Sequence, residues 1–238
     1  MIAENLASHN YFPNDHYNKM SQTLRKKGRP LSFDRDAALH KAMLLFWQGG
    51  YEATSLNDLT AALGVKPSSI YSAFGDKKGL FLDAVGLYLS GPVTAATIIE
   101  QAASAQEAAA ELLRVSALGF TGEGTPPGCL LASAAISCSD AASDVKHELA
   151  AIRRGIEARL HAKIVQSIER SQLPADADAD ALAGMTLAVI QGMSTLARDG
   201  APRAKLLAVA SAAMRAWPPT ATKDVTEDVT KDKSATPA

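Results

Sequence analysis

The stretch GVKPSSIYSAFGDKKGL, residues 64–80, concentrates groups that suit contacts with a polyanion. Serine and tyrosine hydroxyls donate and accept hydrogen bonds, and lysine ammonium groups attract phosphate oxygens. Such groups fit base edges and a phosphate backbone. The sequence contains no nucleophile elbow, phosphate-binding loop or pair of catalytic carboxylates, so we predict neither a catalytic residue nor a cofactor.

The residues on either side of Gly64 predict a helix-turn-helix. The segment SLND offers Ser55 as the N-cap of one short helix, which Gly64 ends. Pro67 fits the first position of a second helix, in which Ile70 and Phe74 form the buried pair. Polar side chains are then left pointing outward near a helix N-terminus, where a recognition helix meets DNA; these are Lys66, Ser68, Ser69, Tyr71 and Ser72.

Two lysines, Lys77 and Lys78, stand at the start of the next predicted helix, within reach of an adjacent phosphate backbone. Both oppose the dipole of their own helix, so we expect another group to hold at least one of them. Because helix-turn-helix shapes also occur inside ordinary bundles, two classes stay open at this point. One is a DNA-binding protein, and the other is a helical-bundle enzyme or small-molecule carrier with an incidental helix-turn-helix.

The charge is distributed unevenly along the chain. Residues 19–80 hold ten Lys and Arg against five Asp and Glu, whereas the whole chain has a net charge of −1. This favours a polyanion partner at one end, although a solvated charged face gives the same pattern. No apolar run reaches the roughly 18 residues of a membrane span, and no secretory signal is visible. We therefore expect a cytoplasmic protein without a membrane partner.

An all-α fold is predicted for the whole chain, since alanine is abundant and aromatic residues make up only 5%. The helix expected at about 176–198 is apolar over a wider arc than one buried stripe needs, which predicts burial on two sides. Its apolar residues include Leu182, Val189, Ile190, Met193 and Leu196. Other helices are expected at about 34–49, 76–89, 104–119, 129–138, 143–170 and 202–217.

The segment TSLNDLTAALGVKPSSIYSAFGDKKGLF resembles the DNA-binding segment of the TetR/AcrR family of bacterial transcriptional regulators. The resemblance covers residues 33–90, and the rest of the chain fits only in length and helical content. Lys66 stands where the family often has Ser or Thr, and the paired serines of the reading face leave the operator sequence open. The matching positions are Thr54, Ser55, Gly64, Val65, Tyr71, Phe74, Lys77 and Leu80.

This resemblance implies a homodimeric repressor that binds a palindromic operator in double-stranded DNA and that a small-molecule inducer releases. It implies an N-terminal three-helix helix-turn-helix domain at 33–90, with Thr54 and Ser55 added to the DNA-binding residues above. It also implies a larger ligand-binding and dimerisation domain at 91–217, which dimerises through its last two long helices. We expect residues 218–238 to form a disordered tail.

Residues 1–32 are expected to form a flexible basic arm, whose Arg25, Lys27 and Arg29 add minor-groove or phosphate contacts. Cys129 lies at a predicted helix N-terminus, where the dipole lowers a thiol pKa. The GCLL stretch is similar to one in family members that sense electrophiles or metals, so Cys129 is a candidate sensor. The alternative is a small buried hydrophobic residue. Polar residues at 140, 144 and 147 share a helix spacing, but we predict no metal site.

Overall fold

The computed structural model describes residues 33–91, 93–135 and 139–219. The predicted arm residues Arg25, Lys27 and Arg29 lie outside this range, as do Cys138 and the tail from 220 onward. The predicted all-α class is confirmed, since the described residues form helices and no strand. The helices are α1 Arg35–Gly49, α2 Leu56–Leu63, α3 Pro67–Phe74, α4 Lys77–Leu89, α5 Ala95–Gln101, α6 Ala105–Gly119, α7 Leu130–Ser133, α8 Ser143–Glu169, α9 Ala179–Arg198 and α10 Arg203–Met214.

The predicted helix-turn-helix is confirmed in α2 and α3. The Ser55 hydroxyl accepts a hydrogen bond from the Asp58 backbone N–H at 3.1 Å, and the Asp58 carboxylate accepts one from the Ser55 N–H at 2.8 Å. This reciprocal capping box fixes the start of α2. Gly64 ends α2 at φ 65°, in the left-handed region that glycine enters without steric cost, and the chain turns there into Pro67 of α3.

The helix-turn-helix rests on α1 and α4, which pack against each other. Phe46 of α1 and Phe81 of α4 are fully buried and meet edge to face at 5.0 Å between ring centroids. Ile70 and Phe74 of α3 are buried in the same core, as predicted. These contacts leave one face of α3 in solvent, because a short helix of eight residues can bury only one stripe.

Three helix predictions for the C-terminal part need correction. Helix α5 was not predicted, although Thr94 caps it by accepting from the Thr97 N–H at 2.8 Å. Helix α7 ends at Ser133 rather than near 138, and the carbonyl of the next residue, Ala134, accepts a hydrogen bond from the Tyr51 N–H at 2.8 Å. Helix α9 was expected from about residue 176, but it begins at Ala179 after its cap Asp178. Several carboxylates in that stretch could have capped it, so the sequence did not single out Asp178.

The wide apolar arc of α9 is divided between two surroundings. Ile190 and Met193 are 9% and 0% exposed in the single chain, so their burial does not support the expected dimer contact, which stays a prediction. Both belong to the core of buried residues, and α9 as a whole packs against α6, α8 and α10. Leu182, Val189 and Leu196 are half-buried and recur every seven residues along a neighbouring stripe, so they remain available to a partner.

Among the described residues, no helix is both long enough and apolar enough to span a membrane.

Candidate nucleic-acid interface

The exposed face of α3 carries the polar groups that the sequence predicted there. Tyr71 is 51% exposed, one of few large apolar side chains to face solvent in the described part of the chain. Ser68, Ser72 and Lys66 are also exposed, whereas Ser69 is half-buried. No side-chain hydrogen bond caps the N-terminus of α3, where the positive end of its dipole lies next to the exposed residue Lys66. The face is suited to receive DNA phosphates and base edges.

Thr54 and Ser55 serve the fold rather than the exposed face. Thr54 is 6% exposed, and its hydroxyl donates to the Gly50 carbonyl at 2.7 Å. Its placement therefore does not support a contact with DNA. Ser55 is exposed, but its hydroxyl donates to the Asp58 carboxylate at 2.6 Å and lowers the pKa of that group. The two residues set the entry into α2 and through it the position of α3.

The two lysines at the start of α4 have different surroundings. The Lys77 ammonium donates to the Glu52 carbonyl at 3.3 Å and lies 4.6 Å from the centre of the Tyr51 ring. The Lys78 ammonium pairs with the Asp144 carboxylate of α8 at 2.5 Å. This hydrogen bond raises the pKa of Lys78 and lowers the pKa of Asp144. The expectation that a partner holds at least one lysine is confirmed.

Arg198, at the end of α9, binds the end of α1. Its guanidinium donates to the Trp47 carbonyl at 3.0 Å, to the Gln48 carbonyl at 2.8 Å and to the Ser133 hydroxyl at 3.1 Å. The two carbonyls belong to the last turn of α1, where helix carbonyls lack a partner of their own and a cation is favoured. Arg198 therefore joins the C-terminal helices to the helix that supports α2 and α3.

The segment that leads into α7 makes a second connection to α1. The Trp47 indole N–H donates to the Gly128 carbonyl at 3.2 Å. Gly128 has a φ of 82°, and a Cβ there would lie 2.8 Å from the Ser194 carbonyl oxygen, so only glycine fits. The next N–H, that of Cys129, donates to the Ser194 hydroxyl at 2.8 Å. Residues 128–134 are thus bonded to α1 on one side and to α9 on the other.

Cys129 is buried between α4 and α7. It is 6% exposed, and the Tyr88 hydroxyl donates to its sulfur at 3.4 Å. Burial raises the pKa of the Cys129 thiol, so the expectation that a helix terminus lowers it is wrong. The helix that begins there has only four residues and gives a weak dipole. The interpretation of Cys129 as a buried core residue is confirmed, while its role as a sensor stays a prediction.

Sequence reasoning missed Arg198 and Arg153, two arginines whose guanidinium groups donate to backbone carbonyls of other elements. Arg153 of α8 is half-buried and donates to the Leu131 carbonyl at 2.6 Å. Both lie on helices that the sequence predicted, at about 143–170 and 176–198. A periodicity argument treats such arginines as solvated, and the GCLL stretch drew attention only to Cys129. No group of three or more potential metal ligands occurs among the described residues.

Comparison with known proteins connects this geometry to gene regulation. Residues 38–84 match bacterial regulatory proteins of the tetR family, and residues 110–217 match the tetracyclin repressor-like C-terminal domain. The chain is 37% identical over 196 residues to the HTH-type transcriptional repressor ComR of Escherichia coli strain K12. The match covers 82% of this chain and 93% of ComR. It is 32% identical over 122 residues to the repressor BdcR of the same strain, covering 51% of this chain and 62% of BdcR.

A solved structure extends the comparison to a DNA complex. A cysteine mutant of the TetR family transcriptional regulator CifR, complexed with 26 bp of double-strand operator DNA, superposes with a TM-score of 0.74. The two are 39% identical, and the match covers 80% of this chain and all of the CifR chain. The similarity spans both the helix-turn-helix and the helices that follow it.

Proposed function

The chain belongs to the TetR family of bacterial regulatory proteins, and we propose that this DNA-binding transcriptional repressor acts as a homodimer that a small ligand releases from its operator. The observation that carries the DNA-binding role is the exposed polar face of α3. Members of the family are regulators rather than enzymes. The alternative of a bundle enzyme with an incidental helix-turn-helix therefore does not apply. We propose that the protein works in the cytoplasm, where the chromosome lies.

In the proposed complex, α3 enters the major groove with its N-terminal end toward the bases. Ser68, Tyr71 and Ser72 would contact base edges, and Lys66 would neutralise a phosphate beside them. Lys77 would approach the adjacent backbone from the start of α4. We further propose that the arm at 1–32, with Arg25, Lys27 and Arg29, adds minor-groove contacts.

The homodimer would form through α9 and α10. Leu182, Met185, Val189 and Leu196 are half-buried in one subunit and lie on a continuous stripe of α9. Leu207 and Met214 of α10 are half-buried in the same way. Four such helices, two from each subunit, would bury these stripes against each other around a two-fold axis. The two α3 helices would then read the halves of a palindromic operator.

Ligand release would use residues 128–134, which are bonded to both α1 and α9. A ligand that displaced this segment would disturb the Trp47, Tyr51 and Arg198 contacts at the end of α1. Because α1 supports the helix-turn-helix, the position of α3 relative to its partner would change. Two states that differ in affinity for the ligand and for DNA are enough for release.

The proposal is tested by selecting genomic fragments with the purified protein and measuring their affinity by fluorescence anisotropy against random DNA. We expect a specificity ratio of about 10³ or more. Lys66→Ala should weaken binding to all sequences and reduce the slope of log K against log salt by about one. Lys146→Ala, at an exposed lysine of α8, is the matched control and should bind as the wild type does. Equal affinity for every fragment would contradict the proposal.

A further inference from the structure

A cavity of about 40 Å³ lies among α5, α6, α7, α8 and α9, and the surface that faces it is apolar throughout. Large apolar side chains from three of these surroundings contribute to its wall, namely Leu112, Phe120, Ile156 and Leu187. An apolar space of this kind offers a water molecule no hydrogen-bond partner, so it favours an apolar guest.

Two polar residues also line the cavity, Arg153 of α8 and Gln191 of α9. They do so through carbon atoms, because no polar surface faces the cavity. The Arg153 guanidinium is engaged elsewhere, since it donates to the Leu131 carbonyl at 2.6 Å. A charged group or a hydroxyl placed in the cavity would lose its hydration and gain no partner, which is unfavourable. The wall therefore selects against charged and hydrogen-bonding ligands.

We propose that this cavity binds a short hydrocarbon or halocarbon, an uncharged molecule without a hydrogen-bonding group. The inference rests on the proposed ligand-released function and names the ligand class of that same site. A space of about 40 Å³ holds roughly three water-sized groups, whereas a benzene-sized guest needs a cavity of about 150 Å³. A guest of about three non-hydrogen atoms therefore fits without movement, and a longer guest has to push the wall outward.

The wall that a longer guest pushes includes part of the segment 128–134. Residues 129, 131 and 132 of this segment line the cavity. The same segment accepts hydrogen bonds from the Trp47 indole in α1 and from the Tyr51 N–H just beyond α1. Because α1 supports the helix-turn-helix, displacement of the segment should disturb the position of α3. We therefore expect operator affinity to fall as the guest lengthens.

The test compares halocarbons with alcohols of the same length, chloroethane with ethanol and 1-chlorobutane with 1-butanol. Binding to the full-length protein without DNA is followed by methyl NMR, with Leu112, Leu187 and Ile190 as reporters in the cavity wall. We expect chloroethane to bind with a dissociation constant in the millimolar range, as suits a very small ligand. Ethanol should bind at least about 10-fold more weakly, because its hydroxyl would be buried without a partner.

A pair of variants on α8 locates the binding site. Ile156→Phe places a larger side chain in the cavity wall and should weaken chloroethane binding about 10-fold or more, since little space would remain. Ile152→Phe is the matched control, because Ile152 is half-buried one turn earlier on the same helix and does not line the cavity. It should bind chloroethane as the wild type does.

Equal affinity of the wild type for chloroethane and ethanol would overturn the proposal without reference to any variant. A folded Ile156→Phe protein that bound chloroethane as tightly as Ile152→Phe would overturn it as well. Operator binding is measured separately by fluorescence anisotropy, so the two failures are distinguishable. Specific operator binding without halocarbon binding refutes the ligand class alone. Binding of 1-chlorobutane in the cavity without operator release supports the site and refutes the ligand-released function.

Discussion

The contact between Arg198 and the end of α1 gives a prediction whose magnitude follows from the structure. Arg198→Ala removes three hydrogen bonds, to the Trp47 carbonyl, the Gln48 carbonyl and the Ser133 hydroxyl. A hydrogen bond to a charged group contributes about 1.5–3 kcal/mol when it is well shielded. Arg198 is exposed, and water can replace its guanidinium at the carbonyls, so we expect about 1–2 kcal/mol for the three bonds together.

Thermal unfolding followed by far-UV circular dichroism measures this loss. For a chain of this length, about 1–2 kcal/mol lowers Tm by roughly 2–8 °C. Arg198→Lys should recover only part of the difference, because one ammonium cannot reach three acceptors in the guanidinium geometry. Arg159→Ala, at an exposed arginine of α8, is the matched control and should leave Tm unchanged. If Arg198→Ala melted with the wild type, the contact would not join the two parts of the chain in solution.

Further predictions concern the dimer, the cysteine and the pair between α4 and α8. Val189→Glu should produce monomers in analytical ultracentrifugation, because it places a charge in the proposed interface at a cost of several kcal/mol. The control Thr195→Glu, at an exposed position of α9, should stay dimeric. A dimeric Val189→Glu protein would contradict the proposed interface. The Cys129 thiol should resist iodoacetamide at pH 7–8 and react only after unfolding, since burial raises its pKa; rapid modification of the native protein, located by peptide mass spectrometry, would refute this. Because the Lys78 ammonium lowers the pKa of Asp144, Asp144→Asn should have a lower Tm than the wild type at pH 7. This difference in Tm should disappear as the pH falls through the lowered pKa of Asp144 in the folded protein. An equal difference in Tm at every pH would show that the charge of Asp144 does not stabilise the fold.

The helices with local signals could be predicted from the sequence. Asp34, Ser55 and Pro67 mark helix starts through their own chemistry, and the structure places caps or first residues at all three. The end of α7 could not be predicted, because the residue after it, Ala134, is bonded to Tyr51, more than 80 residues away in the chain. A distant backbone donor leaves no mark in the local pattern.

Side-chain roles were harder to predict than helices. A period of 3.6 residues places Ile190, Met193 and Val189 on apolar parts of one helix, but it does not say which neighbour covers each part. The structure assigns Ile190 and Met193 to the subunit core and leaves Val189 half-buried. Thr54 was assigned to DNA through a resemblance to the family, whereas the structure shows its hydroxyl bonded to Gly50.

The central claim is that the exposed face of α3 reads the operator. Its most direct test is the ratio of operator to random-DNA affinity for the wild type and for a variant that combines Ser68→Ala, Tyr71→Phe and Ser72→Ala, measured across salt concentrations. Three lost hydrogen bonds of about 1 kcal/mol each should lower the ratio about 100-fold, while the salt slope stays the same because no charge is removed. A variant that kept the wild-type ratio would contradict the claim.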